Sequence, residues 1–434
     1  MNQRGEEGRL TEPRTARLLY GVPDERPSAE SFTPEERRLL EPYFTNLEGP
    51  VFALINLPDV VKGALFARYS RSAKSLRRLF LDEFADKVSG ADRQTPDVGV
   101  ERAERLYTRV FHEYGDDSVA QLGGAHIACE GASNLLTKVL ERGRLAAYLE
   151  QSTRYVPYID RPQGHWKYLI PEELNGTPLR ARYIRTLDRA FEIYTRWIEP
   201  MQDYYKDRHP KDPKDSDGVY RAAIRAKALD TLRGLLPAAT QSNVGIFGSG
   251  QAYESLLLQM RAHPLTEMRR YAEMMLVELR KVIPAFLTRV DLPDRGVLWS
   301  DYLSTTQTDL RQTSMAVLAD IDPQPRDEVS LVDFDPDGEV KVVAAALYAV
   351  SNLPDCQLLA MARQMPANER ASILKAYIGA RTNRRHKPGR AFERTGYRFD
   401  VLTDYGAFRD LQRHRLLSIE WQDLTTDHGF NEPA

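Results

Sequence analysis

The chain has 434 residues, 42% of them apolar and 28% charged, which suits a folded protein with more than one core and excludes a disordered or fibrous one. Sixty Lys and Arg face sixty-two Asp and Glu, so no overall field draws nucleic acid or membranes, and any anion site must be local. Cys129 and Cys356 are the only cysteines and neither lies in a CxxC, so no disulfide framework or metal site is expected, and the expected compartment is the cytoplasm.

Residues 1–32 are charged and lack an apolar stretch, which predicts a disordered N-terminal arm. From Thr33 to about Ala85 apolar residues recur at three- and four-residue spacing, as in "VVKGALFARYSRSAKSLRRLFLDEF", and predict helices; residues 99–114 predict another. The stretch "SVAQLGGAHIACEGASNLLTKVLERGR" alternates like a strand and turns helical near Ser133. In "ERGRLAAYLEQSTRY" (141–155), Arg142, Arg144, Glu150, Ser152 and Arg154 fall on an even beat, so in extended backbone they share one face. Guanidiniums beside a hydroxyl suit a phosphorylated ligand; the competing reading is a surface strand with ordinary ion pairs. Helices are predicted at 178–206, 219–235 and 250–285, the last interrupted near Pro264. Gly248-Ser249-Gly250 lacks a third glycine at Tyr253, which favours a helix start or close packing over a dinucleotide loop. Residues 291–327, rich in Asp, Thr, Ser and Pro, read as a linker. The cluster Asp335-Pro336-Asp337-Gly338 then predicts a hairpin or a strand–turn–helix.

A fixed-order search finds an internal echo. "INLPDVVKGALFAR" (55–68) returns as "SNLPDCQLLAMAR" (351–363), and Arg142-Gly143-Arg144 returns as Arg413-His414-Arg415. The separations from Asn56 to Arg142 and from Asn352 to Arg413 are 86 and 61 residues, so the second is 25 shorter. Such order suggests a duplicated domain, 33–290 and an incomplete 328–434.

Residues 115–155, with "EGAS" and "ERGRLAAYLEQSTRY", resemble the signature region of flavin-dependent thymidylate synthases, whose motif has the form RHRxxSxxxxSxRY. "DLQRHRLLSIEWQDLT" resembles its first half, and "LDTLRGLLPAATQSN" with "LLLQMRAHPLTEMRRYAEMML" resembles the family's helical C-terminal half. The resemblance implies an α+β fold, helix-rich with a small mixed or antiparallel sheet, present in two copies. It also implies sites shared between subunits, and so a homo-oligomer or an intramolecular pairing of the copies. The implied reaction makes dTMP from dUMP, with methylenetetrahydrofolate as carbon donor and NADPH as reductant through FAD. By motif position Glu150, Ser152, Arg154 and Arg261 match dUMP contacts. Arg142, Arg144, Arg413, His414 and Arg415 match FAD contacts, and Ser418 matches the serine proposed as catalytic.

The pattern is eroded. Gly143, Ala147 and Leu149 replace polar residues in the first copy, Leu122 stands for a flavin-contacting histidine, and an Asn-x-Arg pair falls on Gly250 and Ala252. In the second copy Asp423, Thr425 and Thr426 stand at the positions of Ser152, Arg154 and Tyr155. The losses are complementary, which suggests one composite site from Glu150, Ser152 and Arg154 with Arg413, His414 and Arg415. The alternative is a non-catalytic homologue that binds nucleotide or serves a structural role. No nucleic-acid or membrane partner and no metal is expected. "RTNRRHKPGR" (381–390) reads as a solvated basic face.

Overall fold

The computed structural model describes residues 31–48, 54–69, 74–85, 121 and 123–430. The expected arm up to residue 30, the helix predicted at 99–114 and Leu122 lie outside them. The chain divides into two compact units at Thr305/Thr306.

In the first unit, Thr33 opens α1 (Pro34–Leu40) with a capping box. Its Oγ1 accepts from the Glu36 N–H at 3.2 Å while Glu36 Oε2 accepts from the Thr33 N–H at 2.8 Å. α2 (Asp59–Tyr69) and α3 (Leu76–Glu83, capped by Ser75) follow, and Leu40, Phe44, Leu65 and Phe80 close a common core. The sheet is antiparallel in the order β1–β3–β2, with β1 Gly124–Ser133, β2 Ala146–Glu150 and β3 Gln241–Ser249.

The central strand β3 was not expected, because its glycines and polar residues hide a real alternation. Ser242, Val244 and Ile246 are buried while Asn243, Gly245 and Phe247 face out. At its end Ser249 caps α7 (Gly250–Arg261), and a Cβ on Gly250 would sit 2.5 Å from Phe286, so Gly248-Ser249-Gly250 serves a helix start and close packing. α4 (Asn134–Leu140) follows β1, and α8 (Thr266–Arg280) follows the break at Pro264.

Between β2 and β3 the chain builds a helical hairpin, α5 (Leu179–Arg208) and α6 (Asp217–Leu232), close to the expected bounds. It has its own aromatic core, in which Trp166 stacks on Phe191 at 5.5 Å between ring centres. Residues 298–317, where composition suggested a connector, form α9 (Leu298–Val317), a 20-residue helix.

The second unit contains β4 (Val329–Phe334), α10 (Gly338–Tyr348), α11 (Asp355–Gln364), α12 (Ala367–Ile378), β5 (Tyr397–Val401) and α13 (Tyr405–Gln412). β4 pairs antiparallel with the distant β5, so Asp335–Gly338 is a strand–turn–helix and not a hairpin. Val343, Ala344, Leu358 and Ala362 form a buried core. The fold class is α+β, helix-rich with small antiparallel sheets.

Candidate functional site

The "EGAS" segment acts first as a backbone device. Gly131 adopts φ +69° at a bulge between Cys129 and Ala132, and its N–H donates to Asn243 Oδ1 at 3.0 Å. Ser133 then caps α4, its Oγ accepting from the Leu136 N–H at 3.1 Å and donating to Glu267 Oε2 at 2.5 Å. The helix delivers the chain to an exposed turn bearing Arg142 and Arg144. At its centre the Tyr148 hydroxyl donates to the Gly143 carbonyl at 2.9 Å, and it lies 2.7 Å from where a Cβ on Gly143 would stand. A larger residue at 143 would require Tyr148 to move.

The even beat of 142–154 does not form one outward face. Only 146–150 is strand; Arg142 and Arg144 lie in the turn before it, and Ser152 and Arg154 in the turn after it. Within β2 the even positions point inward, because β3 pairs alongside and the core lies beneath. Leu149 is 80% exposed, whereas the Glu150 side chain is only 1% exposed. Its carboxylate lies 3.5 Å from the Lys138 ammonium, which also bonds Glu141 at 2.7 Å; Lys138 and Glu141 are themselves buried. One ammonium thus serves two carboxylates inside the unit, an arrangement that holds only while the pairing is kept.

Beyond the strand, Ser152 Oγ accepts from the Arg154 N–H at 3.2 Å. The Arg154 Nε sits 2.8 Å from Asp230 Oδ1, and the Arg233 Nε sits 3.0 Å from the same oxygen. Arg233 was missed in the sequence. Its signal was the i, i+3 spacing from Asp230 at the end of α6, which does not reveal that Arg154 arrives from far along the chain. Arg261, at the end of α7, pairs with Glu273 of α8 at 2.6 Å.

In the second unit Arg413 is the C-cap of α13, and Arg413, His414, Arg415 and Ser418 are all exposed on the turns that follow. Asp423, the counterpart of Ser152, pairs with Arg311 at 2.8 Å. The two halves of the composite site therefore stand on different units. Tyr69 and Tyr155 are exposed. Among the described residues no group of three His, Cys, Asp or Glu could hold a metal, and no helix is long and apolar enough to cross a membrane.

Residues 64–285, which contain the sheet, the arginine turn and the Arg154–Asp230–Arg233 cluster, match the family model of the thymidylate synthase complementing protein, Thy1. The chain belongs to the Thy1 family. A UPF0159 protein of Chlamydia muridarum is 40% identical over 408 residues, covering 93% of this chain and 77% of the relative. A flavin-dependent thymidylate synthase of Clostridium tetani is 26% identical over 200 residues, covering 45% of this chain and 73% of the relative. A solved UMP/dUMP methylase from Streptomyces cacaoi aligns over 54% of this chain and 89% of its own, at 15% identity and a TM-score of 0.33. Within the Thy1 range fall Arg142, Arg144, Glu150, Ser152, Arg154, Arg233 and Arg261; the second arginine triplet lies outside it.

Proposed function

We propose that this Thy1 protein methylates dUMP to dTMP in the cytoplasm, with methylenetetrahydrofolate as carbon donor and NADPH as reductant through FAD. The observation that carries the reading is the meeting of Arg154 and Arg233 on Asp230. The two guanidiniums reach the same Asp230 oxygen, beside the turn in which Ser152 Oγ accepts from the Arg154 N–H. A phosphate monoester has the charge and the oxygens to take both forks, with Asp230 holding them together until it arrives. Glu150, by way of Lys138, fixes the strand end from which Ser152 and Arg154 extend, and Arg261 is assigned to the nucleotide by its place in the motif.

Arg142 and Arg144, with Arg413, His414 and Arg415, are the residues that would hold FAD. Exposed turns rich in guanidinium groups fit its pyrophosphate. FAD, when bound, supplies the hydride relay; the chain supplies grip and orientation. Ser418 is the proposed catalytic hydroxyl.

The test is tritium release from dUMP labelled at C5, with FAD, NADPH and methylenetetrahydrofolate present, beside calorimetry of dUMP binding. The expected result is release, with R154A and R233A each weakening dUMP by about ten- to hundredfold. A second reading, a homologue that binds nucleotide without turnover, is favoured by Gly143, Ala147 and the outward Leu149. Binding of dUMP without tritium release would establish it; no binding removes both.

A further inference from the structure

A cavity of about 130 Å³ in the first unit is lined by no residue of the arginine turn or of the Arg154–Asp230–Arg233 cluster. Its walls are mostly apolar, from Leu135, Leu169, Ile170, Pro171, Ala239 and Leu265. Tyr183 also lines it, but its hydroxyl is spent on the Leu169 carbonyl at 2.9 Å. The other polar side chains of the lining are Ser133, three carboxylates and one guanidinium. Glu267 is 8% exposed, and each of its oxygens already accepts one hydrogen bond from Ser133, at 2.9 and 2.5 Å. A carboxylate oxygen has room for two, so each has one lone pair left. Burial pushes the Glu267 carboxyl above its ordinary range, against the pull of those two bonds, which marks a carboxylate short of compensation.

The charge around the space is lopsided. Glu172, Glu173 and Glu267 line it against the single guanidinium of Arg270, which pairs with Glu172 at 3.2 Å, where both side chains are about half exposed. Glu173 is turned to the Thr266 N–H at 2.8 Å. An anion entering would meet an excess of carboxylates, and a neutral hydrocarbon would leave the Glu267 lone pairs facing apolar groups. Four waters would fit the volume but find few partners on these walls. An apolar body the size of a benzene ring fills such a space.

We propose that this cavity is a binding site for a small organic amine, a compact apolar body of about ring size carrying one protonated nitrogen, which donates to Glu267 while the body packs against Leu169, Ile170 and Ala239. The site is independent of the dUMP reading and stands or falls without it.

The test is ligand-observed NMR and calorimetry on the full chain with benzylamine, toluene and benzoate. Benzylamine is expected to bind one to one, about tenfold more tightly than toluene, with benzoate unbound. E267Q should remove most of the preference for benzylamine over toluene. Leu265→Trp, at a partly exposed position on the rim, should abolish binding of both. Ala239→Phe is the second filling variant, and circular dichroism reports whether each is folded. Failure of benzylamine to bind at millimolar concentration, equal binding of toluene, or binding unchanged in both folded filling variants would overturn the proposal.

Discussion

Each unit carries a strand, a short capped helix and an arginine-bearing turn, in that order, and the two differ in what surrounds them. In the first, β1 runs into α4 and Arg142-Gly143-Arg144, and the next strand, β2, is zipped onto β3. In the second, β5 runs into α13 and Arg413-His414-Arg415, and the following residues up to Thr425 form turns and irregular backbone. The consequence is chemical. Around the first turn, Lys138, Glu141 and Glu150 are enclosed and depend on one another. Around the second, the arginines face solvent, where charge costs little and ion pairs contribute little. A third strand converts a motif from a solvated surface into a buried ionic network, so similar residues can be adaptable in one unit and committed in the other.

The sharpest break of this contrast is at β3. Ile246→Asp puts an unpaired charge at a 2%-exposed position in the central strand and is expected to cost more than about 4 kcal/mol. Hydrogen exchange should show amides of the first unit losing protection while Val343 and Leu358 keep theirs. Next is Lys138→Met, which leaves two buried carboxylates without their ammonium, a loss of about 3–5 kcal/mol in urea unfolding. Arg413→Met, at an exposed arginine on the second unit's turn, should change stability by less than about 0.5 kcal/mol. If both cost the same, the contrast in burial is wrong.

The caps give a smaller separation. Asp404 accepts from the Ala407 N–H at 3.0 Å and nothing else is asked of it, so Asp404→Ala should cost about 1 kcal/mol. Ser133→Ala removes the cap and also strips Glu267 of a donor, so about 2–3 kcal/mol is expected in the same measurement.

The smallest effect is in pH, and the units should respond with opposite sign. Burial raises the Glu267 carboxyl, so the folded first unit favours the proton. That contribution is complete below about pH 4.5 and is lost as pH rises through the raised value. The Lys341 ammonium holds Asp335 below its ordinary 3.8, so its contribution is present above that and is lost as pH falls through the lowered value. Urea midpoints from pH 3 to 7 check this. E267Q should flatten the upper part of the profile and D335N the lower, and exchange of the two effects would refute the assignment.

Much of this architecture was readable along the chain. Ser133 and Ser249, each followed by helical periodicity, mark helix starts that the structure keeps, and the break at Pro264 separates α7 from α8. The family signature in 115–155 was legible because its residues are contiguous. β3 was hidden by Gly245, Gly248 and its outward polar positions, although its alternation was present. Arg233 was hidden because its partner, Arg154, lies on the far side of the α5–α6 hairpin.

Local propensity and spacing thus determined helix starts such as those after Ser133 and Ser249 and the two-residue beat of β2, while the contiguous signature of 115–155 carried the resemblance to the family, since each depends on neighbours in the chain. Which side of that beat is inside was decided only when β3 closed beside β2 and put Glu150 against Lys138. The joining of Arg154 and Arg233 on Asp230 was decided in the same way, by chain segments that meet only when folded. Periodicity is written residue by residue, but burial and charge pairing depend on what packs across from each face.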